Sequence, residues 1–179
     1  MVYLFLAEGF EEIEALCPMD MLRRAGIEIK SVSITDEKSV TGAHGITVLA
    51  DMTYGDFDPA DADMLILPGG MPGTKNLLAH EPLVAALKIF GRCGGYISAI
   101  CAAPMVLGRA GLLEGKIATC YPGFENDLLG ATVSSEKVVV CDNIITAQGM
   151  GAAVDFSCAI IDKLLGKGTA APIKESIRS

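Results

Sequence analysis

No apolar stretch in this 179-residue sequence reaches the roughly 18 residues that a membrane-spanning helix needs. The chain opens directly into Val2-Tyr3-Leu4-Phe5-Leu6, without a basic leader or a small-residue cleavage site. Those two absences set the expectation of a cytoplasmic protein. Positive charge is short as well: 14 lysines and arginines face 22 acids, giving a net charge of −8, and no basic run occurs. Such a surface is a poor electrostatic match for nucleic acid or an anionic membrane, so neither is an expected partner. Histidine is scarce, with only His44 and His80, and neither lies near a cysteine. The six cysteines (Cys17, Cys93, Cys101, Cys120, Cys141 and Cys158) contain no pair at the spacing of a zinc knuckle or redox dithiol. No metal site and no disulfide framework is expected, and most of these thiols read as reduced core residues.

What is present is an apolar majority. Hydrophobic residues make up 51% and charged residues 20%, which excludes a disordered chain. This length suits one domain, residues 1–179, with about 70% of the extended chain's surface buried and no need of staples. Short apolar runs suited to buried strands (Val2–Ala7, Glu28–Ile34, Asp63–Leu67, Gly95–Ile100, Lys116–Cys120, Val138–Cys141, Ile144–Ala147) alternate with helical patterns. Helices are expected over 11–25, 81–92, 104–110 and 152–165, and two short strands within 40–49. Alternation of this kind predicts an α/β sandwich whose mainly parallel sheet is covered on both faces. Ligands in such folds bind beyond the carboxyl ends of the strands, which selects Ala7–Gly9, Pro68–Gly73 and Ile100–Pro104.

The third of these carries the sharpest chemistry. In Ser98-Ala99-Ile100-Cys101-Ala102-Ala103-Pro104 a thiol sits between strand and helix, with Ala99 and Ala103 two residues to either side. A reactive side chain on so sharp a turn needs small neighbours there. A helix N-terminus favours the thiolate through its unpaired N–H groups and dipole. A buried structural cysteine is the alternative. Glu14 is the second signal. On a helical wheel with Ile13 at zero, Cys17, Met21, Glu14 and Ala25 fall near 40°, 80°, 100° and 120°. A glutamate inside an apolar arc is costly unless protonated or paired, although a surface glutamate on an imperfect wheel fits too. Pro18 removes the N–H that would bond the Glu14 carbonyl. The pattern predicts a protonated Glu14 beside a readily ionised Cys101 thiol. Ala15, Met19 and Leu22 lie on another face of the same helix, so one face packs on the sheet and another meets a partner subunit or the chain's own loops.

Pro68-Gly69-Gly70-Met71-Pro72-Gly73-Thr74-Lys75 lacks the spacing of a phosphate loop, and no G-x-G-x-x-G occurs. Its glycines suit the approach of backbone N–H groups to a reacting oxygen, and Asn76 can cap or line the same loop.

Ala7-Glu8-Gly9-Phe10-Glu11-Glu12-Ile13-Glu14, Leu67-Pro68-Gly69-Gly70 and Ala99-Ile100-Cys101-Ala102-Ala103-Pro104, taken in order, resemble the ThiJ/PfpI superfamily. The likeness is greatest to the branch of the parkinsonism-associated protein deglycase and bacterial ThiJ-like proteins. Arg23-Arg24-Ala25-Gly26, Gly73-Thr74-Lys75-Asn76-Leu77 and Thr146-Ala147-Gln148-Gly149 fit the same pattern, so the resemblance covers the whole chain. It implies a flavodoxin-like three-layer sandwich, usually a homodimer, here through the 11–25 helix. It makes Cys101 the nucleophile and Glu14 its protonated partner, with Gly70 and Ala102 as oxyanion donors. Two departures stand out. Peptidases of the superfamily carry histidine after the cysteine, where Ala102 stands here, so peptidase activity is not expected. Some relatives place a histidine where this chain has Tyr121, leaving Glu14 to carry the proton transfers or a phenol to help. His44 occupies a loop position that often holds arginine in this branch and reads as a solvated histidine; His80 reads as a helix-boundary residue.

The resemblance implies a cofactor-independent cysteine glyoxalase or deglycase acting on methylglyoxal-type carbonyls or their protein and nucleotide adducts. A peroxide-responsive stress sensor or chaperone using the oxidisable Cys101 is the alternative. A role in thiamine-precursor metabolism finds no kinase-type phosphate motif to support it.

Overall fold

The computed structural model describes residues 1–179. It contains β1 (Val2–Leu6), α1 (Glu12–Arg24), β2 (Ile29–Ser33), β3 (Ser39–Thr41), β4 (Thr47–Leu49), β5 (Met52–Thr53) and β6 (Met64–Leu67). Then come α2 (Gly73–Ala79), α3 (Glu81–Arg92), β7 (Tyr96–Ile100), α4 (Pro104–Arg109), β8 (Ile117–Ala118) and β9 (Thr132–Val133). The chain closes with β10 (Val138–Cys141), β11 (Ile144–Ala147), α5 (Ala153–Leu165) and α6 (Ala170–Ser176). Seven strands form one sheet in the order β10-β11-β7-β6-β1-β2-β5, and β3-β4 and β8-β9 form separate pairs. Every pairing in the large sheet is parallel except β10 with β11, which is an antiparallel edge hairpin.

Strand alternation divides the core into two. Tyr3, Phe5, Leu65 and Leu67 face α2, α3 and α4, where they meet Leu77, Leu83, Leu87 and Val106. Val2, Leu4, Leu6, Met64 and Ile66 face the other way, against Met19, Met21 and Leu22 of α1 and Phe156, Ile160 and Ile161 of α5. The central strands are buried on both sides and so read as continuous apolar runs. This is the flavodoxin-like three-layer sandwich anticipated from the sequence.

Three local differences have physical causes. The segment read only as a glycine-rich loop continues into α2, because Gly73 and Thr74 are tucked against Gly9 and Gly70 and their burial offsets poor helix propensity. The strand expected over 116–120 shortens to Ile117–Ala118, since Thr119 turns its N–H to the Thr146 hydroxyl. On α1 the Ala15, Met19 and Leu22 row packs into the core, whereas Ile13 and Leu16 are 49% and 40% exposed. The buried arc is therefore centred opposite Ile13, yet it still contains Glu14, which is 1% exposed.

All residues of β6 are fully buried, which generates a stability prediction. Leu65→Ala, at the centre of the sheet, should cost about 2–5 kcal/mol in urea unfolding, through lost transfer energy and a residual cavity. A loss below about 1 kcal/mol would contradict the two-sided burial of this strand.

Candidate active site

The carboxyl ends of β1, β6, β7 and β11 converge on one edge of the sheet, and the expected residues meet there. Cys101 follows β7 in a left-handed conformation, φ 65°, that side chains other than glycine adopt at a cost. Its N–H donates to the Ala147 carbonyl (2.9 Å) and its carbonyl accepts the Tyr121 N–H (2.8 Å), so both neighbouring loops hold the strained turn. Ala99, Ala102 and Ala103 are buried beside it, as the elbow requires. The backbone N–H groups of Gly70 and Ala102 lie near enough to the sulphur to favour its ionised form.

Glu14 reaches this point from the first turn of α1. Glu11 caps that turn, its carboxylate accepting the Glu14 N–H at 2.7 Å. The Gly69 N–H donates to Glu14 Oε2 at 3.0 Å, and the Cys101 side chain and the Met150 N–H lie near enough to the same carboxyl group to favour its charged form. Gly69 has no room for a side chain: a Cβ there would lie 2.6 Å from Cys101 Cβ and 2.6 Å from Glu14 Oε2.

Burial, assisted by the charge of Glu11, pushes the Glu14 carboxyl up to about 7 against its hydrogen-bond donors. The raised carboxyl agrees with the sequence reading; the thiol does not. Burial and then the charge and hydrogen bond of Glu14 push Cys101 up to about 12, outweighing the Gly70 and Ala102 N–H groups. A helix terminus alone favours thiolate, but a carboxylate against the sulphur opposes a second negative charge. The pair therefore gives up one proton near neutrality and holds the other far into the alkaline range, titrating as a unit.

The remaining expected residues divide. Tyr121 is 51% exposed and, together with Gly149, lines a cavity of about 360 Å³ whose walls include neither Cys101 nor Glu14. A Cβ at Gly149 would stand 3.2 Å from the Tyr121 ring and 3.7 Å from Glu14 Oε1, so the backbone here passes close to the carboxyl. Asn76 does not turn to the thiol: its amide donates to the Glu8 carbonyl at 2.8 Å and ties α2 to the loop after β1. His44 is more than a solvated loop residue. Its Nδ1 lies 2.7 Å from Glu12 Oε2, and its N–H donates to Glu12 Oε1 at 2.7 Å. Burial would raise the Glu12 carboxyl, but the His44 ring and backbone donors bring it below the usual range, and the carboxylate raises His44 in turn. Glu11, Glu12 and His44 are the one group whose ligand atoms cluster within 4.8 Å, and both Glu12 oxygens are already engaged by His44. His80 caps α3, accepting the Leu83 N–H. The Met150 N–H escaped the sequence reading, which named Thr146-Ala147-Gln148-Gly149 just before it without placing that loop at the site; the strand-end rule applied to Ile144–Ala147 would have done so.

The model of the DJ-1/PfpI family matches residues 1–163. Protein DJ-1 homolog B of Arabidopsis thaliana is 37% identical over 170 residues, 94% of this chain and 39% of that protein. The chain thus spans about two fifths of that relative's length. A deglycase of Pyrococcus horikoshii is 34% identical over 151 residues, covering 83% of this chain and 90% of its own. The structure of oxidized DJ-1 from Toxoplasma gondii superposes with a TM-score of 0.94 at 34% identity, over 98% of this chain and 96% of that one.

The Glu14 shift predicts a pH-dependent stability. Its folded value of about 7 exceeds the ordinary 4.5, so its contribution is fully present below about 4.5 and is lost as pH rises through about 7. Glu14→Gln should therefore gain stability over wild type between those limits, by up to about 3 kcal/mol in denaturant unfolding. A constant difference across that range would contradict the raised carboxyl.

Proposed function

From the premise that this chain belongs to the DJ-1/PfpI family, we propose that it is a cofactor-independent glyoxalase or deglycase acting on 2-oxoaldehydes and the adducts they form. The observation that carries this reading is the buried Glu14 carboxyl set beside Cys101 at one edge of the sheet, so close that a Cβ on Gly69 would meet both. The thiol adds to the aldehyde carbon as its proton passes to the Glu14 carboxylate, which then protonates the new oxygen to give a hemithioacetal. The Gly70 and Ala102 N–H groups, which meet the sulphur, are the donors within reach of charge developing on that oxygen. Glu14, ionised again, takes the carbon-bound proton to form an enediolate and returns it to the adjacent carbon while the hydroxyl proton passes to the neighbouring oxygen, leaving a thioester. Water releases the 2-hydroxy acid and restores the thiol, so the net change is addition of one water to R–CO–CHO. The deglycase named among the relatives supports the substrate class.

A second reading rests on the same sulphur, and the oxidized state of the Toxoplasma DJ-1 structure favours it. Peroxide oxygen transferred to Cys101 in two steps would leave a sulfinate that a protonated Glu14 can hydrogen-bond, with two waters as by-products. Cys93, the one exposed cysteine, is the internal comparison. Mild peroxide should add two oxygens to Cys101 before Cys93 is modified, and simultaneous oxidation would defeat this reading. As partner we propose a second copy of the chain docked on the outer side of α1, where Ile13 and Leu16 are exposed near Leu49 of the β3-β4 hairpin.

The enzymatic test is lactate formation from methylglyoxal by chelator-treated protein without glutathione. Cys101→Ser and Glu14→Gln should each lose at least about 100-fold, within the range general acid–base catalysis supplies. Wild-type turnover should rise with pH through about 7, as the pair loses its first proton, and vanish below it. Wild-type protein no faster than Cys101→Ser would overturn the proposal.

A further inference from the structure

We infer that Glu11 is a positioning residue for the reaction proposed above: it ties Glu14 to the loop after β6, and its charge keeps Glu14 the acid of the pair. The inference rests on that reading and deepens it by naming what governs the working pH range of the site. Glu11 is the N-cap of α1, and Glu14 is the third residue of the helix. The Glu11 N–H donates to the Gly69 carbonyl at 2.9 Å, and the Glu11 carboxylate accepts the Glu14 N–H at 2.7 Å. Glu14 Oε2 accepts the Gly69 N–H at 3.0 Å, which closes a ring of three hydrogen bonds through Glu11, Glu14 and Gly69. The ring has no slack. A Cβ on Gly70 would stand 2.4 Å from the Glu11 nitrogen, and one on Gly69 would stand 2.6 Å from both Cys101 Cβ and Glu14 Oε2. A displacement of Glu11 therefore moves Glu14 relative to the thiol.

The second part of the role is electrostatic. A carboxylate in the first turn of a helix ordinarily gains from the unpaired N–H groups and the positive end of the dipole, which hold it ionised. Glu11 opposes both effects at Glu14, because it occupies the Glu14 N–H and sets a negative charge beside it. Burial is the larger cause of the raised Glu14 carboxyl, and the charge of Glu11 acts in the same direction. The other ionisable groups facing this turn are Cys101 after β7, Tyr121 beyond Gly149, and Glu12 with His44 of the β3-β4 hairpin. Glu12 is answered locally, since both its oxygens are bonded to His44. The His44 side chain is 70% exposed, so solvent screens its charge from Glu14. Of the two neighbouring carboxylates, Glu11 is the one bonded to Glu14.

Three variants of the intact chain separate the cap from the charge. Glu11→Ser keeps a side-chain oxygen for the Glu14 N–H but no charge, Glu11→Asp keeps both, and Glu11→Ala keeps neither. Serine and aspartate are strong N-cap residues, so both proteins should fold as wild type does. Without the Glu11 charge the Glu14 proton leaves at lower pH. The acid limb of methylglyoxal turnover should move down by about half to one pH unit in Glu11→Ser and stay in place in Glu11→Asp. Glu11→Ala should show the same displacement and a plateau rate at least about threefold below that of Glu11→Ser, because the Glu14 amide is no longer tied. The rate of Cys101 alkylation by iodoacetamide against pH, read by mass spectrometry, follows the same ionisation without turnover. Limbs unmoved by Glu11→Ser in both measurements, an equal displacement in Glu11→Asp, or equal plateaus in Glu11→Ala and Glu11→Ser would overturn the inference. Absence of turnover in every protein, with the alkylation limb displaced by Glu11→Ser and not by Glu11→Asp, would instead defeat the parent glyoxalase reading and leave Glu11 as the residue that governs the thiol–carboxyl pair.

Discussion

One proton, held between the Glu14 carboxyl and the Cys101 sulphur, is what the rest of the site serves. Neither group is comfortable as an anion where it stands: the carboxyl is almost fully buried, and the half-buried thiol faces that carboxyl. Backbone donors aim at both, Gly69 and Met150 at the carboxyl and Gly70 and Ala102 at the sulphur. A single negative charge is accommodated on either side, and a second is excluded. In the reaction proposed above, this would let the carboxyl act as a base when the sulphur attacks and as an acid once the sulphur is bonded to carbon.

Four elements must arrive together to create that arrangement. The end of β6 supplies Gly69 and Gly70, β7 supplies the strained Cys101, α1 supplies Glu14 and the loop between β11 and α5 supplies Met150. Close approach is possible because two positions lack a side chain. A Cβ at Gly69 would overlap both reacting groups, and one at Gly70, whose φ is 91°, would stand 2.4 Å from the Glu11 nitrogen. The strain at Cys101 persists because its hydrogen bonds to the Ala147 carbonyl and from the Tyr121 N–H fix the turn on either side.

Much of this was legible from the sequence. Buried strands announce themselves as short apolar runs, so β1, β6, β7 and β11 were found within a residue or two. Cys101 was marked by its alanine neighbours, and Glu14 by its place in an apolar arc. The arc's centre was misplaced, because Ile13 is a large apolar residue left exposed, and a wheel weights it as core. What stayed hidden depends on contacts between distant segments. His44 looked solvated because nothing local indicates its bonds to Glu12, 32 positions away. Asn76 looked like a site residue because its partner, the Glu8 carbonyl, belongs to another loop. The direction of the thiol's shift was missed for the same reason: a helix terminus is visible in sequence, whereas a carboxylate against the sulphur is a property of the fold.

The ultraviolet absorbance of the Cys101 thiolate, followed against pH in wild type and Glu14→Gln, tests the shared proton most directly. With Glu14 able to ionise, full deprotonation of the pair is pushed up towards about 12. Glu14→Gln removes that opposing charge, so the final ionisation of the thiol should move to clearly lower pH. Superimposable titrations of the two proteins would mean that the carboxyl does not act on the sulphur, and the pair described here would not exist.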